Sequence, residues 1–145
     1  MPGTVLVADD EPLIRSLVKN ALERQGYRVL EARDGQEALG ICERLGPSID
    51  LLLTDIVMPV MDGIQLSERV SSILPNVRVL YMSGQCEIDV VQHHIRDKGF
   101  GFLRKPFALD VLAERIRKLV EAPVHKKGPQ REDPPASSVI GGRSA

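Results

Sequence analysis

The chain has 145 residues, 43% hydrophobic and 27% charged, with a formal net charge of −1. That is enough apolar material for one globular domain with a packed core, and the balanced charge offers no global field to attract nucleic acid or an anionic membrane. No apolar run approaches the roughly 18 residues that a bilayer crossing needs, and MPGTVLVADDE has no leader-like start.

Read in chain order, short apolar runs alternate with amphipathic stretches. The runs are Val5–Ala8, Arg28–Ala32, Ile49–Thr54, Val77–Met82 and Phe100–Leu103, and several are continuous Val, Leu and Ile, as in strands covered on both faces. A first helix is predicted from Pro12, with Ile14, Val18, Ala21 and Leu22 on one face and Gly26 as its stop. Asp34 and Glu37 form an Asp-x-x-Glu start for a second helix carrying Ala38, Ile41 and Leu45. Gly63 leads into a third with Leu66, Val70 and Ile73, and Asp62 before it reads as a turn residue. A fourth carries Ile88, Val91 and Ile95, and a fifth runs from about Ala108 to Glu121.

Five strand–helix repeats imply parallel strands with right-handed crossovers, hence an α/β fold: an open, doubly wound parallel sheet. Residues 1–121 form this domain. From Ala122 to Ala145 the chain turns rich in Pro and Gly and loses apolar periodicity, which reads as a disordered tail or linker. Cys42 and Cys86 stand apart without a CxxC pattern, and are expected as free thiols in a reducing, cytoplasmic setting. Adjacent His93 and His94 on the fourth helix point about 100° apart and are expected on the surface. Lys126 and Lys127 read as a solvated pair.

Open α/β sheets bind ligands beyond the carboxyl ends of their strands. There the sequence places Asp9, Asp10 and Glu11 after the first strand, Asp55 after the third, Ser83 and Gly84 after the fourth, and Lys105–Pro106 after the fifth. Two carboxylates about 4 Å apart repel by about 4 kcal/mol at an effective dielectric near 20. A cation relieves this, and a hard oxygen-seeking ion such as Mg2+ suits the donors. A lysine and a hydroxyl beside the acids suit a phosphoryl group. Glu11 itself reads as ordinary helix-start chemistry.

ADDE after the first strand, LLLTDIVMPVMDG around the third, YMSG after the fourth and FLRKPF after the fifth resemble the receiver domain of two-component response regulators. The resemblance covers Val5 to about Val120. It implies a flavodoxin-like sheet in the order 2-1-3-4-5, with Asp55 as phosphoacceptor from a histidine kinase or phosphotransfer protein. It further implies Mg2+ held by Asp10, Asp55 and the Val57 backbone carbonyl, with Asp9 acting through water. Lys105 would pair with Asp55 and then with a phosphoryl oxygen; Ser83 and Phe102 would be the switch pair, with Gly84 beside the phosphate. The Lys105–Pro106 bond would be cis, and Val57 and Gln85 would tune phosphoryl lifetime. Output would be protein–protein interaction through the face of the fourth helix, fifth strand and fifth helix, as a monomer or a phosphorylation-dependent dimer, with neither nucleic acid nor membrane as partner. YMSG resembles receivers of hybrid histidine kinases, so a terminal hybrid-kinase receiver or a phosphorelay intermediate is the near alternative.

Competing readings are weaker. A haloacid-dehalogenase-type phosphohydrolase wants Asp-x-Asp-x-Thr where this chain has ADDEP, and a degenerate, binding-only receiver would lack an acid or the lysine. A dinucleotide site would need a GxGxxG that is missing. The expectation is a regulatory phosphoacceptor, not an enzyme acting on other substrates.

Overall fold

A computed structural model of the chain describes residues 3–84, Gln92 and 99–122. In order these form β1 (Thr4–Ala8), α1 (Pro12–Arg24), β2 (Arg28–Ala32), α2 (Gly35–Leu45), a short 3-10 turn (Gly46–Ser48), β3 (Leu51–Asp55), α3 (Gly63–Ile73), β4 (Arg78–Ser83), β5 (Gly101–Arg104) and α4 (Leu109–Glu121). The strands make one sheet in the order β2-β1-β3-β4-β5, and every pairing is parallel. The α/β class and the 2-1-3-4-5 order are therefore as expected. The fourth helix expected around Ile88, Val91 and Ile95, together with Gln85, Cys86, His93, His94 and the segment from Pro123 onward, lies outside the described residues.

The apolar strands are continuous because both faces are covered. Alternate residues of each strand feed different cores. Leu6, Leu52, Val79 and Tyr81 pack with Ala38 and Ile41 of α2 and Leu66 and Val70 of α3. Val5, Val7, Leu51, Leu53, Leu80 and Met82 pack with Val18 and Leu22 of α1 and Leu112 and Ile116 of α4. Burying each such aliphatic side chain contributes about 1.5–3 kcal/mol, so the sheet is held from both sides. Central β1 and β3 are buried throughout, whereas edge strands β2 and β5 carry partly exposed residues.

Helix ends follow local chemistry. Pro12 sits in the first turn of α1, and the chain leaves it through Gly26 at φ +95°. The Asp34 carboxylate accepts the Glu37 N–H at 2.8 Å and starts α2. Asp62 is more than a turn residue. It caps α3, accepting the Gln65 N–H at 2.8 Å while the Gln65 side chain accepts the Asp62 N–H at 3.2 Å, a reciprocal capping box.

Candidate functional site

Strand register builds the site before any side chain is considered. Ala8 pairs with Thr54, so the next residues, Asp9 and Asp55, emerge side by side at the carboxyl edge. Asp55 pairs with Met82 and Ser83 with Arg104, so Ser83 and Lys105 follow one step further along that rim. The Lys105 N–H donates to the Ser83 carbonyl at 2.8 Å, which fixes the two loops against one another. The Lys105–Pro106 peptide is cis, as expected.

The three aspartates converge: one carboxylate oxygen from each of Asp9, Asp10 and Asp55 lies within 4.8 Å of the others. Asp9 is wholly buried, Asp55 is 8% exposed and Asp10 faces solvent. Lys105 Nζ lies 3.1 Å from Asp9 Oδ2 and 3.1 Å from Asp55 Oδ2, a single ammonium shared by two acids. Glu11 joins this ring, with its Oε1 3.8 Å from the same nitrogen. Glu11 also occupies the cap position of α1, as expected of a helix-start acid, although its side chain makes no capping bond. Asp10, Glu11, Asp55, Val57, Ser83, Gly84 and Lys105 line one open pocket of about 400 Å³.

Asp9 is held at each of its polar atoms. Its N–H donates to the Ala32 carbonyl at 3.1 Å, and its carbonyl accepts from Arg15 Nη1 at 2.6 Å. Its Oδ1 accepts the Glu11 N–H at 2.9 Å and its Oδ2 accepts from Lys105. By contrast, the Asp10 carboxylate makes no hydrogen bond or ion pair among the described residues. A small hard cation would thus find the Asp10 carboxylate without a protein partner among the described residues, while Asp9 and Asp55 share the Lys105 ammonium. Three carboxylates and main-chain oxygens are the donor chemistry that such an ion prefers, so the residues fit Mg2+.

Burial pushes the Asp55 pKa above the ordinary carboxylate value; the Lys105 hydrogen bond and charge oppose this, and the negative charge of Asp9 adds to it. The lysine is buried too, yet its pKa is raised because hydrogen bonds and charges of Asp55 and Asp9 outweigh that desolvation. The two shifts are compatible. One ammonium is stabilised by two acids, while each acid receives only part of one ammonium.

The remaining expected residues fall around this centre. Ser83 is buried at the end of β4, and Gly84 lies on the lip, where a β-carbon would make only ordinary contact with Lys105 Cβ at 3.7 Å. Val57 is 48% exposed beside the pocket, and its backbone N–H acts to lower the Asp55 pKa, against the larger effect of burial. Phe102 is partly buried against the α2/α3 core, and its carbonyl accepts from Arg115 Nη1 at 2.8 Å.

Three features have no counterpart in the sequence reading. A β-carbon at Gly63 would collide with the Asp55 carbonyl oxygen, and the Gly63 N–H donates to the Ile56 carbonyl at 2.8 Å. Arg15 reaches the Asp9 carbonyl, a partner that leaves no trace in sequence. Tyr81, fully buried on β4, bonds Ser67 of α3 at 2.5 Å; its position on an apolar strand was the one available hint.

Residues 5–117 match the response regulator receiver domain family. The sensor kinase CckA of Brucella abortus is 39% identical over 82% of this chain, which spans 13% of the length of that kinase. The response regulator receiver protein CpdR of Brucella abortus is 37% identical over 84% of this chain and 99% of its own. The solved receiver domain of the hybrid histidine kinase CckA superposes with a TM-score of 0.72 at 36% identity, covering 82% of this chain and all of that one. The chain belongs to the response regulator receiver domain family, a family of phosphoacceptor signalling switches.

Proposed function

We propose that Asp55 is the phosphoacceptor of this receiver. The observation that carries the reading is the shared ammonium of Lys105, 3.1 Å from both Asp55 Oδ2 and Asp9 Oδ2. One Asp55 carboxylate oxygen would help to hold a cation and the other would attack the phosphorus. In the transfer, the Asp55 oxygen forms a bond to phosphorus as the phosphorus–nitrogen bond of a partner's phosphohistidine breaks, and the imidazole keeps the electron pair. The product carries about −1.5 to −2 charges. Lys105 turns from Asp55 to a phosphoryl oxygen, and Ser83 donates to another with Gly84 beside it. Phosphoryl transfer asks the protein for little more than this positioning and charge neutralisation.

Asp10, Asp55 and the Val57 backbone carbonyl would hold Mg2+, with Asp9 engaged through water. Bound there, the ion supplies positive charge to the phosphoryl oxygens and screens the acids from one another. The donor is a histidine kinase or phosphotransfer protein. An apolar groove of about 590 Å³ borders the pocket, lined by Ile14, Leu17, Pro106, Phe107 and Leu109 and sharing Gly84 and Lys105 with the site, which supports a protein donor over a small molecule alone.

Ser83 and Phe102 act as the switch pair, reshaping the face of β5, α4 and the segment before β5 for a downstream protein target, as a monomer or a phosphorylation-dependent dimer. The domain spans residues 1–121, with 122–145 as a tail or linker. It works in the cytoplasm as a regulatory phosphoacceptor, not an enzyme with substrates of its own. Among the described residues no helix is long and apolar enough to cross a membrane. The likeness to the CckA receiver favours one second reading, a receiver of a hybrid kinase or a relay that passes the phosphoryl group onward.

Incubation with acetyl phosphate, with and without Mg2+, followed by intact mass, tests this. The expected result is a Mg2+-dependent gain of one phosphoryl group that is lost in Asp55→Asn. Label persisting in that variant would move the acceptor elsewhere, and absence of label in the wild type would favour a binding-only receiver.

A further inference from the structure

We propose that Arg15, oriented by Glu31, is a positioning residue for the metal-binding acids, so that part of the Mg2+ affinity resides in α1 and β2, elements that supply no ligand. The inference rests on the phosphoacceptor reading above. The ladder of β1 ends with the Asp9 N–H on the Ala32 carbonyl, and α1 begins at Pro12. The peptide joining Asp9 to Asp10 therefore belongs to neither strand nor helix. Its carbonyl is taken by Arg15 Nη1 at 2.6 Å, from a side chain only 16% exposed.

That peptide carries Asp10, whose carboxylate has no restraint of its own among the described residues. Fixing the main chain is the means by which its direction into the pocket is set before an ion arrives. Removing a group that orients a metal ligand from behind commonly costs about 10–100-fold in metal affinity.

The guanidinium is itself held. Its Nε lies 3.5 Å from Glu31 Oε1, and Lys19 Nζ lies 3.4 Å from Glu31 Oε2. Glu31 sits opposite Val7 on β2 and faces α1, where Arg15 and Lys19 stand one turn apart. A planar guanidinium can bond a carbonyl and a carboxylate together from one fixed fork, which an ammonium on a flexible stem does less well. Its charge also sits behind Asp9, Asp10 and Glu11, where it opposes their mutual repulsion.

The test is Mg2+ binding to the unphosphorylated full chain by isothermal titration calorimetry, for wild type, Arg15→Gln, Arg15→Lys and Glu31→Gln, with thermal unfolding in EDTA alongside. The Mg2+ dissociation constant is expected to rise about tenfold in Arg15→Gln, and by less in Arg15→Lys and Glu31→Gln. The Mg2+ concentration for half-maximal labelling by acetyl phosphate should rise by the same factor. A lower unfolding temperature with an unchanged Mg2+ dissociation constant would reduce Arg15 to a structural tie and overturn the proposal. Should Arg15→Gln not fold, Glu31→Gln decides, and unchanged affinity there overturns it equally. Wild type that binds no Mg2+ would instead remove the phosphoacceptor reading itself.

Discussion

The α-carbon of Gly63 lies against the carbonyl oxygen of Asp55, leaving no room for a side chain between the start of α3 and the end of β3. The obstruction is main chain, so it cannot swing aside. Gly63→Ala is expected to cost about 2–3 kcal/mol, the range for overpacking a closed site, read as a lower urea midpoint. It should also slow labelling by acetyl phosphate, because β3 must shift and carry Asp55 with it. A variant of wild-type stability that labels at the wild-type rate would show that the two elements are not so tightly opposed.

Lys105 neutralises acids that are otherwise adjacent and buried. In Lys105→Met, Asp9 keeps its Glu11 and Arg15 contacts but loses its side-chain cation, and Asp55 loses its own. Removing one partner of a buried pair costs about 3–5 kcal/mol. The partly open pocket brings the expectation here to about 2 kcal/mol in EDTA. Adding Asp55→Asn to Lys105→Met should restore part of that loss, since it removes one of the uncompensated charges. No recovery in the double variant would mean that Asp55 is not strained by its neighbours.

Ser67 Oγ donates to the Ile64 carbonyl at 2.9 Å, so its hydroxyl proton is spent and the Tyr81 phenol is the donor in the 2.5 Å bond between them. Tyr81→Phe should cost about 1 kcal/mol, the net value of one such bond. A double-mutant cycle with Ser67→Ala should show coupling of that size. Additive effects would mean that the bond contributes nothing to tying β4 to α3.

Burial raises the Cys42 thiol to about 11, with the charge of Glu43 a smaller cause. Burial likewise raises the Tyr81 phenol to about 12. Both native groups hold their protons at a pH where the unfolded chain has released them. The unfolded state then binds fewer protons, so stability falls as pH rises: from 9 through about 11 for Cys42, and from 10 through about 12 for Tyr81. For Cys42 this amounts to about 3 kcal/mol. Urea midpoints between pH 8 and 11.5 should decline less steeply in Cys42→Ala than in wild type, and parallel declines would assign the alkaline loss to other groups.

Val60 is 76% exposed and holds φ at +72°, a left-handed conformation that a β-branched residue adopts at a cost. Val60→Gly should stabilise the protein by about 1 kcal/mol, the relief of strain exceeding the added freedom of the unfolded chain. A raised unfolding temperature checks this, and a lowered one would show that the Val60 side chain earns its place in packing.

Much of the site was legible because each of its residues follows an apolar run, and a parallel sheet brings the ends of such runs to one rim. Asp9, Asp55, Ser83 and Lys105 could be placed from that rule alone. Asp62 was under-read because turns and helix caps favour the same short acid, and only the Gln65 reciprocity separates them. Glu11 was rightly read as a helix-start acid, but its relation to Lys105 spans most of the chain and has no local signature. Arg15 was invisible for a different reason: its partner is a main-chain carbonyl, which every residue possesses. Gly63 looked like helix-start punctuation, since a sequence shows that a side chain is missing but not what stands in its place.

The fourfold engagement of Asp9 makes the pocket a vice with one fixed jaw. Its N–H, its carbonyl and both carboxylate oxygens are already committed to Ala32, Arg15, Glu11 and Lys105. A phosphoryl group that draws Lys105 away releases one of these and leaves the other three clamped. With Asp55 as the acceptor, displacement caused by the added charge is expected to run the other way, into the loop bearing Val57 and Val60 and the end of β4 at Ser83. The direction of the signal would then be set by which wall cannot give.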